Sequence, residues 1–155
     1  NSGGDFRKWY GNNIKVVNLW NDGQDIRENV KNYRLRDKSY YFKQGITWGR
    51  ITSSQIAFRE VVEGSLFGDA GPIGFINEKR RFVLGFLSSK VVANLLQITN
   101  PTLNFQVHDI MGLPLIIMLE EAEKVETIVG RNIELSKKDW DSYETSWDFK
   151  RNPLV

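Results

Sequence analysis

Hydrophobic positions alternate in short runs through the first two-thirds of the chain, then recur at spacings of three and four. Residues 14–20 set Val17 and Leu19 against Val16 and Asn18, which predicts a short strand. Asn21-Asp22-Gly23 follows as a turn signal. Ile26, Val30 and Tyr33 predict a short helix over 24–33. Residues 46–52 and 55–61 each alternate, with the polar pair Ser53-Ser54 between them, which predicts a β-hairpin or two adjacent strands. The Gly-rich stretch 64–74 reads as a loop or bulged edge, and 74–76 as one more short strand. Leu84, Leu87, Val91, Leu95 and Ile98 predict a mostly buried helix over 80–99. Ser88-Ser89 is a candidate break in that helix, and Asn100-Pro101 is its stop. Residues 105–110 look strand-like. After Pro114, Met118, Ala122, Val125 and Val129 mark a second helix with an acidic outer face and Gly130 just past its end. Ser136 then opens a third helix, with Asp139 complementing its first amides and Trp140, Tyr143 and Trp147 on one side. The sum is an α+β fold: a mainly antiparallel sheet, one buried helix, and helices at the C-terminal end.

Length and composition narrow this picture. A chain of 155 residues, 41% hydrophobic and 26% charged, is expected to form one domain, 1–155, with a sheet-rich part (1–112) and a helical part (113–155). Cysteine is absent, which excludes disulfides, thiolate zinc sites and cysteine nucleophiles. A single histidine, His108, excludes any multi-histidine metal site. No apolar run approaches a membrane span, and the start Asn1-Ser2-Gly3-Gly4-Asp5 carries no signal-peptide pattern. Together with the missing initiator methionine, this leads to the expectation of a cytoplasmic fragment of a larger chain, with no membrane partner.

The net charge of +2 is mild, but its distribution is not. The first 60 residues carry 11 basic and 6 acidic side chains, and residues 111–155 carry 6 and 9. A polyanion is therefore expected to meet the first third of the chain. Arg7 and Lys8 sit beside Trp9 and Tyr10, while Lys43, Arg50, Thr52, Ser53, Ser54, Gln55 and Arg59 surround the expected hairpin tip. Arg, Lys, Ser and Thr reach phosphates, and Arg and Gln also read base edges. Lys8, Arg50 and Arg59 are the phosphate candidates. Asn104, Gln106 and His108 alternate, so on a strand they would share a face, and Asn and Gln pair with adenine edges. The plainer reading has Trp9 and Trp48 in the core, the cations on a solvated surface, and 104–108 as a polar strand face. Asn100-Pro101-Thr102-Leu103 lacks the second proline and the aromatic of an Asn-Pro-Pro-Tyr motif, so it reads as a helix stop with a turn. The glutamates of 120–126 form a solvated helix face rather than a metal site. Glu60, Glu63 and Lys79 do not have a spacing that requires a nuclease centre.

Several of these segments together resemble one family. Phe6-Arg7-Lys8-Trp9-Tyr10-Gly11-Asn12, Gly45-Ile46-Thr47-Trp48, Leu84-Gly85-Phe86-Leu87-Ser88-Ser89-Lys90, Asn100-Pro101-Thr102-Leu103-Asn104-Phe105-Gln106-Val107 and the stretch from Asp139 to Phe149 follow one order. They resemble the C-terminal half of PglX-type adenine-specific DNA methyltransferases of BREX and Pgl phage-defence systems, close to fused type II restriction–modification enzymes. The resemblance implies a target-recognition domain that is not catalytic by itself and binds double-stranded DNA. It also implies an upstream methyltransferase domain that carries S-adenosylmethionine, none being held by the fragment, and other defence-system proteins as further partners. The alternatives are a protein-interaction module of the same enzyme, docking through the acidic and aromatic C-terminal helices, and a small metal-dependent nuclease. His108 departs from the family pattern, which has glycine there; a positive φ at that position would conflict with it.

Overall fold

The computed structural model describes residues 3–52 and 55–154. Three strands, β1 (Gly45–Trp48), β2 (Phe58–Val61) and β3 (Ile73–Gly74), form an antiparallel sheet in the order β2-β1-β3. β1 and β2 pair from Gly45 opposite Val61 to Trp48 opposite Phe58, so the expected hairpin is present with shorter strands. Ile46 pairs with Gly74 across the other edge of β1, placing β3 one residue before its expected start. Five helices complete the fold: α1 (Trp20–Asn29), α2 (Arg80–Leu87), α3 (Lys90–Thr99), α4 (Val107–Met111) and α5 (Leu119–Trp140). The protein is α+β, as the pattern predicts.

All four residues of β1 are buried. Ile46, Trp48 and Phe58 join Leu84 and Leu87 of α2, Val92 and Leu96 of α3, and Val129, Ile133 and Trp140 of α5 in one core. The Trp48 indole N–H donates to the Phe105 carbonyl at 3.0 Å, so the buried ring keeps its polar atom satisfied. Trp9 extends the sheet beyond β2: its N–H donates to Phe58 O at 2.9 Å and its carbonyl accepts from Glu60 N at 2.8 Å.

Four expected elements differ. Residues 14–19 form no strand, and Val16 is 75% exposed, because among the described residues no neighbouring strand takes up their ladder hydrogen bonds. Within α1, Asn21, Asp22 and Gly23 keep positive φ, as the turn signal predicts, and the helix that follows them stops at Asn29 rather than 33, leaving Tyr33 outside it. Residues 105–110 are not strand. Asp109 accepts from the Gln106 N–H at 2.7 Å in a capping box that opens α4. The two expected C-terminal helices are one: α5 runs through Gly130 and Ser136. The Ser136 hydroxyl donates to Lys8 O at 2.9 Å instead of capping a helix. Trp140 therefore ends α5, buried at 7% exposure, while Tyr143 and Trp147 follow in turns and are exposed. The expected break at Ser88-Ser89 is present: α2 and α3 meet at 62°, and the Ser89 hydroxyl caps α3 by accepting from Val92 N.

Two glycines on the crossing helices should respond oppositely to alanine. A Cβ on Gly85 would sit 2.8 Å from Val129 Cγ2 and 3.1 Å from Val125 Cγ1, so it would wedge α2 off α5. Gly85→Ala is expected to lose about 1–2 kcal/mol net, overpacking outweighing the gain in helix propensity. A Cβ on Gly130 meets only the end of the Arg81 side chain, 3.2 Å away, which can move. Gly130→Ala is expected to gain up to about 1 kcal/mol. Urea denaturation of both variants measures the contrast.

The chain's C-terminal turns are held electrostatically. Lys137 Nζ donates to Asp141 and Asp148 at 2.7 Å each and lies 5.0 Å from the Tyr10 ring centroid. Partial burial pulls Lys137 down, but its bonds to the two carboxylates more than offset this and hold it above its ordinary value. The same bond, with the charge of Lys137, holds Asp148 below the ordinary carboxylate range. A carboxylate lowered in the folded state stabilises above its unfolded pKa and loses that contribution as pH falls through the folded pKa. The Asp148 carboxyl carbon is thus expected to titrate below the ordinary carboxylate range by NMR, and to move back up toward it in Lys137→Met.

Candidate nucleic-acid interface

Beyond Trp48 the chain leaves the sheet and pairs instead with the segment that follows α3. Ile51 lies opposite Asn104 in an antiparallel bridge. Phe105 N donates to Arg50 O at 2.7 Å, Thr52 N to Leu103 O at 3.0 Å, and Arg50 N to Ala70 O at 3.1 Å. Both backbone groups of Arg50 are thereby engaged. The Arg50 guanidinium Nε donates to Asn104 Oδ1 at 3.3 Å. The Thr52 hydroxyl reaches Gln55 O at 3.4 Å, joining the two sides of the hairpin end.

The partner segment is built around Asn100. Its side-chain oxygen accepts from Thr102 N at 3.1 Å and from the Thr102 hydroxyl at 2.5 Å. Its amide nitrogen donates to Asn104 O and to Asp109 Oδ2, both at 2.9 Å. The buried Asn100 side chain thus closes the turn after α3 and ties it to the first turn of α4. This agrees with a helix stop and a turn at Asn100-Pro101-Thr102-Leu103, a reading the missing proline and aromatic already favoured.

The structure divides the sequence-derived candidates. Arg50, Thr52, Gln55 and Asn104 come together at the hairpin end. Ser53 and Ser54 lie outside the described residues. Gln106 caps α4, and His108, 81% exposed at its side chain, lies on that helix 3.4 Å from Asp109. The expected common strand face of Asn104, Gln106 and His108 is therefore not formed. His108 has a negative φ, so glycine's freedom is not needed there. Lys43 is exposed at the opposite end of β1, 5.8 Å from the Tyr40 ring centroid.

Arg7, Lys8 and Arg59 hold the N-terminal segment in place. Arg7 pairs with Asp139, stacks 4.8 Å from the Trp140 centroid and donates to Tyr10 O at 3.2 Å. Lys8 Nζ reaches Ser88 O at 3.4 Å. Arg59, expected on the surface as a phosphate ligand, is 1% exposed. The segment around Trp9 folds over it, and its guanidinium donates to Gly3 O at 2.7 Å and Arg7 O at 3.4 Å. Burial, reinforced by the charge of Arg7, pulls it down to about 10, so it stays charged at neutral pH.

An apolar groove of about 850 Å³ was not read from the sequence. Trp48, Phe75, Val83, Phe86, Ile110 and Met111 are among its walls. Beside it Leu115, Ile116, Ile117, Met118 and Leu119 are all exposed. Five consecutive apolar residues, running from Leu115 into the first residue of α5, are the signal that could have found it. Among the described residues no cluster of three or more His, Asp or Glu is placed to hold a metal ion. No single helix there is long and apolar enough to cross a membrane.

The fold and this surface define an α+β domain whose hairpin end presents an arginine, a threonine and two amide side chains on a pinned backbone. No protein-family model matches the chain. It is 34% identical over 157 residues to the adenine-specific methyltransferase BrxX of Escherichia coli O9:H4 (strain HS). It is 35% identical over 163 residues to the adenine-specific methyltransferase PglX of Lacticaseibacillus casei (strain Zhang). These matches cover 99% and 100% of the chain but only 12% and 13% of the relatives' lengths. The likeness to PglX-type methyltransferases read from short motifs therefore extends across the whole chain.

Proposed function

We propose that this domain recognises double-stranded DNA for an N6-adenine methyltransferase whose catalytic domain lies elsewhere in the parent chain. One observation carries the reading: the convergence of Arg50, Thr52, Gln55 and Asn104 on one pinned hairpin end. Ser53 and Ser54 lie between Thr52 and Gln55 in sequence and extend the same polar run. Similarity along the whole of this chain to a part of two adenine-specific methyltransferases, and the basic first third of the chain, support it. The antiparallel order of the three strands supports placing S-adenosylmethionine outside these residues, since nucleoside sites of the doubly wound kind lie on parallel strands. No chemical step is assigned to these residues, and the cofactor belongs to the proposed catalytic domain.

Fluorescence anisotropy with a labelled duplex tests this. Each phosphate contact is expected to lower affinity roughly threefold between about 50 and 200 mM salt. Absence of salt-dependent binding, even to a duplex carrying the parent enzyme's own site, rules the reading out.

A second reading is docking on the methyltransferase domain. The exposed run from Leu115 to Leu119 favours it. The three-aromatic patch that this reading also called on is not formed, because Trp140 is buried. The double variant Ile116→Ser, Leu119→Ser is expected to change stability by less than about 0.5 kcal/mol. On the docking reading it also stops co-purification with the rest of the parent chain; unchanged co-purification removes that reading.

A further inference from the structure

We infer that Arg50, positioned by Asn104, reads a guanine in the major groove. The inference rests on the proposed duplex recognition and names one base within it. Three features of the geometry carry it. Arg50 is fixed at its backbone on both sides, through Ala70 O and Phe105 N. Its Nε is engaged by Asn104 Oδ1, which sets the plane of the guanidinium. Its two terminal nitrogens make no hydrogen bond or ion pair among the described residues, although the side chain is only partly exposed.

An arginine held in this way differs from a surface cation. A free arginine loses most of its rotamer freedom on binding, whereas a buttressed one has already lost it. The two terminal nitrogens present parallel donors at a fixed spacing. Guanine offers two acceptors, O6 and N7, on its major-groove edge, and this is the bidentate match for arginine. Adenine offers N7 beside a donor, so one guanidinium N–H would face an N–H. Cytosine and thymine present one polar group each on that edge.

Asn104 is a positioning residue. Its own backbone is held: its N–H donates to the Thr102 hydroxyl at 3.3 Å and its carbonyl accepts from Asn100 at 2.9 Å. The plane of Arg50 is thus tied through Asn104 to the buried Asn100. Arg36, by contrast, pairs with Asp69, and Arg7 with Asp139, so their guanidinium groups are engaged by carboxylates.

The test uses the 155-residue chain and a randomised duplex pool. Sequences retained by the protein are expected to share at least one guanine. Replacing that guanine with 7-deazaguanine, which removes N7, should weaken wild-type binding about 5- to 100-fold. Arg50→Lys should bind the guanine and 7-deazaguanine duplexes within about threefold of each other. Asn104→Ala should narrow the wild-type ratio while leaving the salt slope unchanged, which a merely structural role does not predict. If Arg50→Lys and Arg50→Ala weaken all duplexes alike, with Arg50→Ala reducing the salt slope by about one, Arg50 contacts phosphate. In that case the inference is wrong and the proposed function stands. Retained sequences without a common guanine, or wild-type indifference to 7-deazaguanine, also overturn it. Failure to bind any duplex overturns both readings.

Discussion

Arg59→Ala is expected to lower the unfolding free energy by about 3–5 kcal/mol, a large fraction of what a domain of this size has to lose. The residue sits at 1% exposure within β2. Truncation empties the volume of a long side chain and leaves Arg7 O and one side of Gly3 O without their donor. Gly3 O keeps the Asn12 amide at 3.0 Å, so the loss is partial there. The charge itself is a cost: no carboxylate pairs with Arg59 among the described residues, its Nε has no partner, and Arg7 repels it. Arg59→Met should therefore lose much less, about 1–2 kcal/mol, because it fills most of the space and removes the buried cation. The two variants separate packing from anchoring. Arg59→Met should fold yet show faster amide exchange at Trp9 and Glu60, whose bonds dock the N-terminal segment on β2. Equal losses from alanine and methionine would mean that the hydrogen bonds, not the volume, dominate.

Asn100→Ala is expected to cost about 2–3 kcal/mol and to weaken duplex binding with it. Four hydrogen bonds leave with one buried amide: two to Thr102, one to Asn104 O and one to Asp109. A buried partner left unsatisfied costs about 1–3 kcal/mol, more when charged. The functional effect follows because the same turn sets Asn104 against Arg50. Asn100→Asp should be worse at neutral pH. It keeps the acceptor for Thr102 but loses the donor and places a second carboxylate beside Asp109. Two carboxylates sharing a site push one pKa up, so this variant should regain stability as pH falls toward about 4–5, unlike the alanine variant. Thermal melts of both variants at neutral and acid pH measure the difference.

Much of the fold was legible because it is local. The β1–β2 hairpin followed from period-two alternation around a polar pair. The stop after α3 followed from Asn100-Pro101, and the bend between α2 and α3 from Ser88-Ser89. The errors share a cause. Residues 105–110 are too few for alternation to be told from a single helical turn, and the Gln106–Asp109 capping box decided the matter. Residues 14–20 alternate, but a strand needs a partner, and among the described residues no strand pairs with them. Gly130 looked like a stop, yet it is buried within α5 on the side that meets Arg81.

The candidate site was legible as a set of residue types and not as a place. Arg50, Thr52, Gln55 and Asn104 were all named from the sequence. That Asn104 meets Arg50 could not be, since 54 positions separate them. Arg59 was misassigned for the converse reason. Alternation set it on the face opposite Ile56 and Phe58, and the N-terminal segment, which pairs with β2 through Trp9, encloses its guanidinium with the carbonyls of Gly3 and Arg7.

By itself the sequence determined the α+β class, the hairpin, the helical rear, the excess of cations at the front and the likeness to PglX-type methyltransferases. Each depends on periodicity, composition or motif order, which short stretches of chain carry without reference to distant ones. Only the tertiary structure decided which cations are spent inside the fold and which remain at its surface. A charged side chain's role depends on what the rest of the chain lays over it. Here Arg59 was enclosed by the N-terminal segment, while Arg50 was left with two donors and a neighbour to hold them.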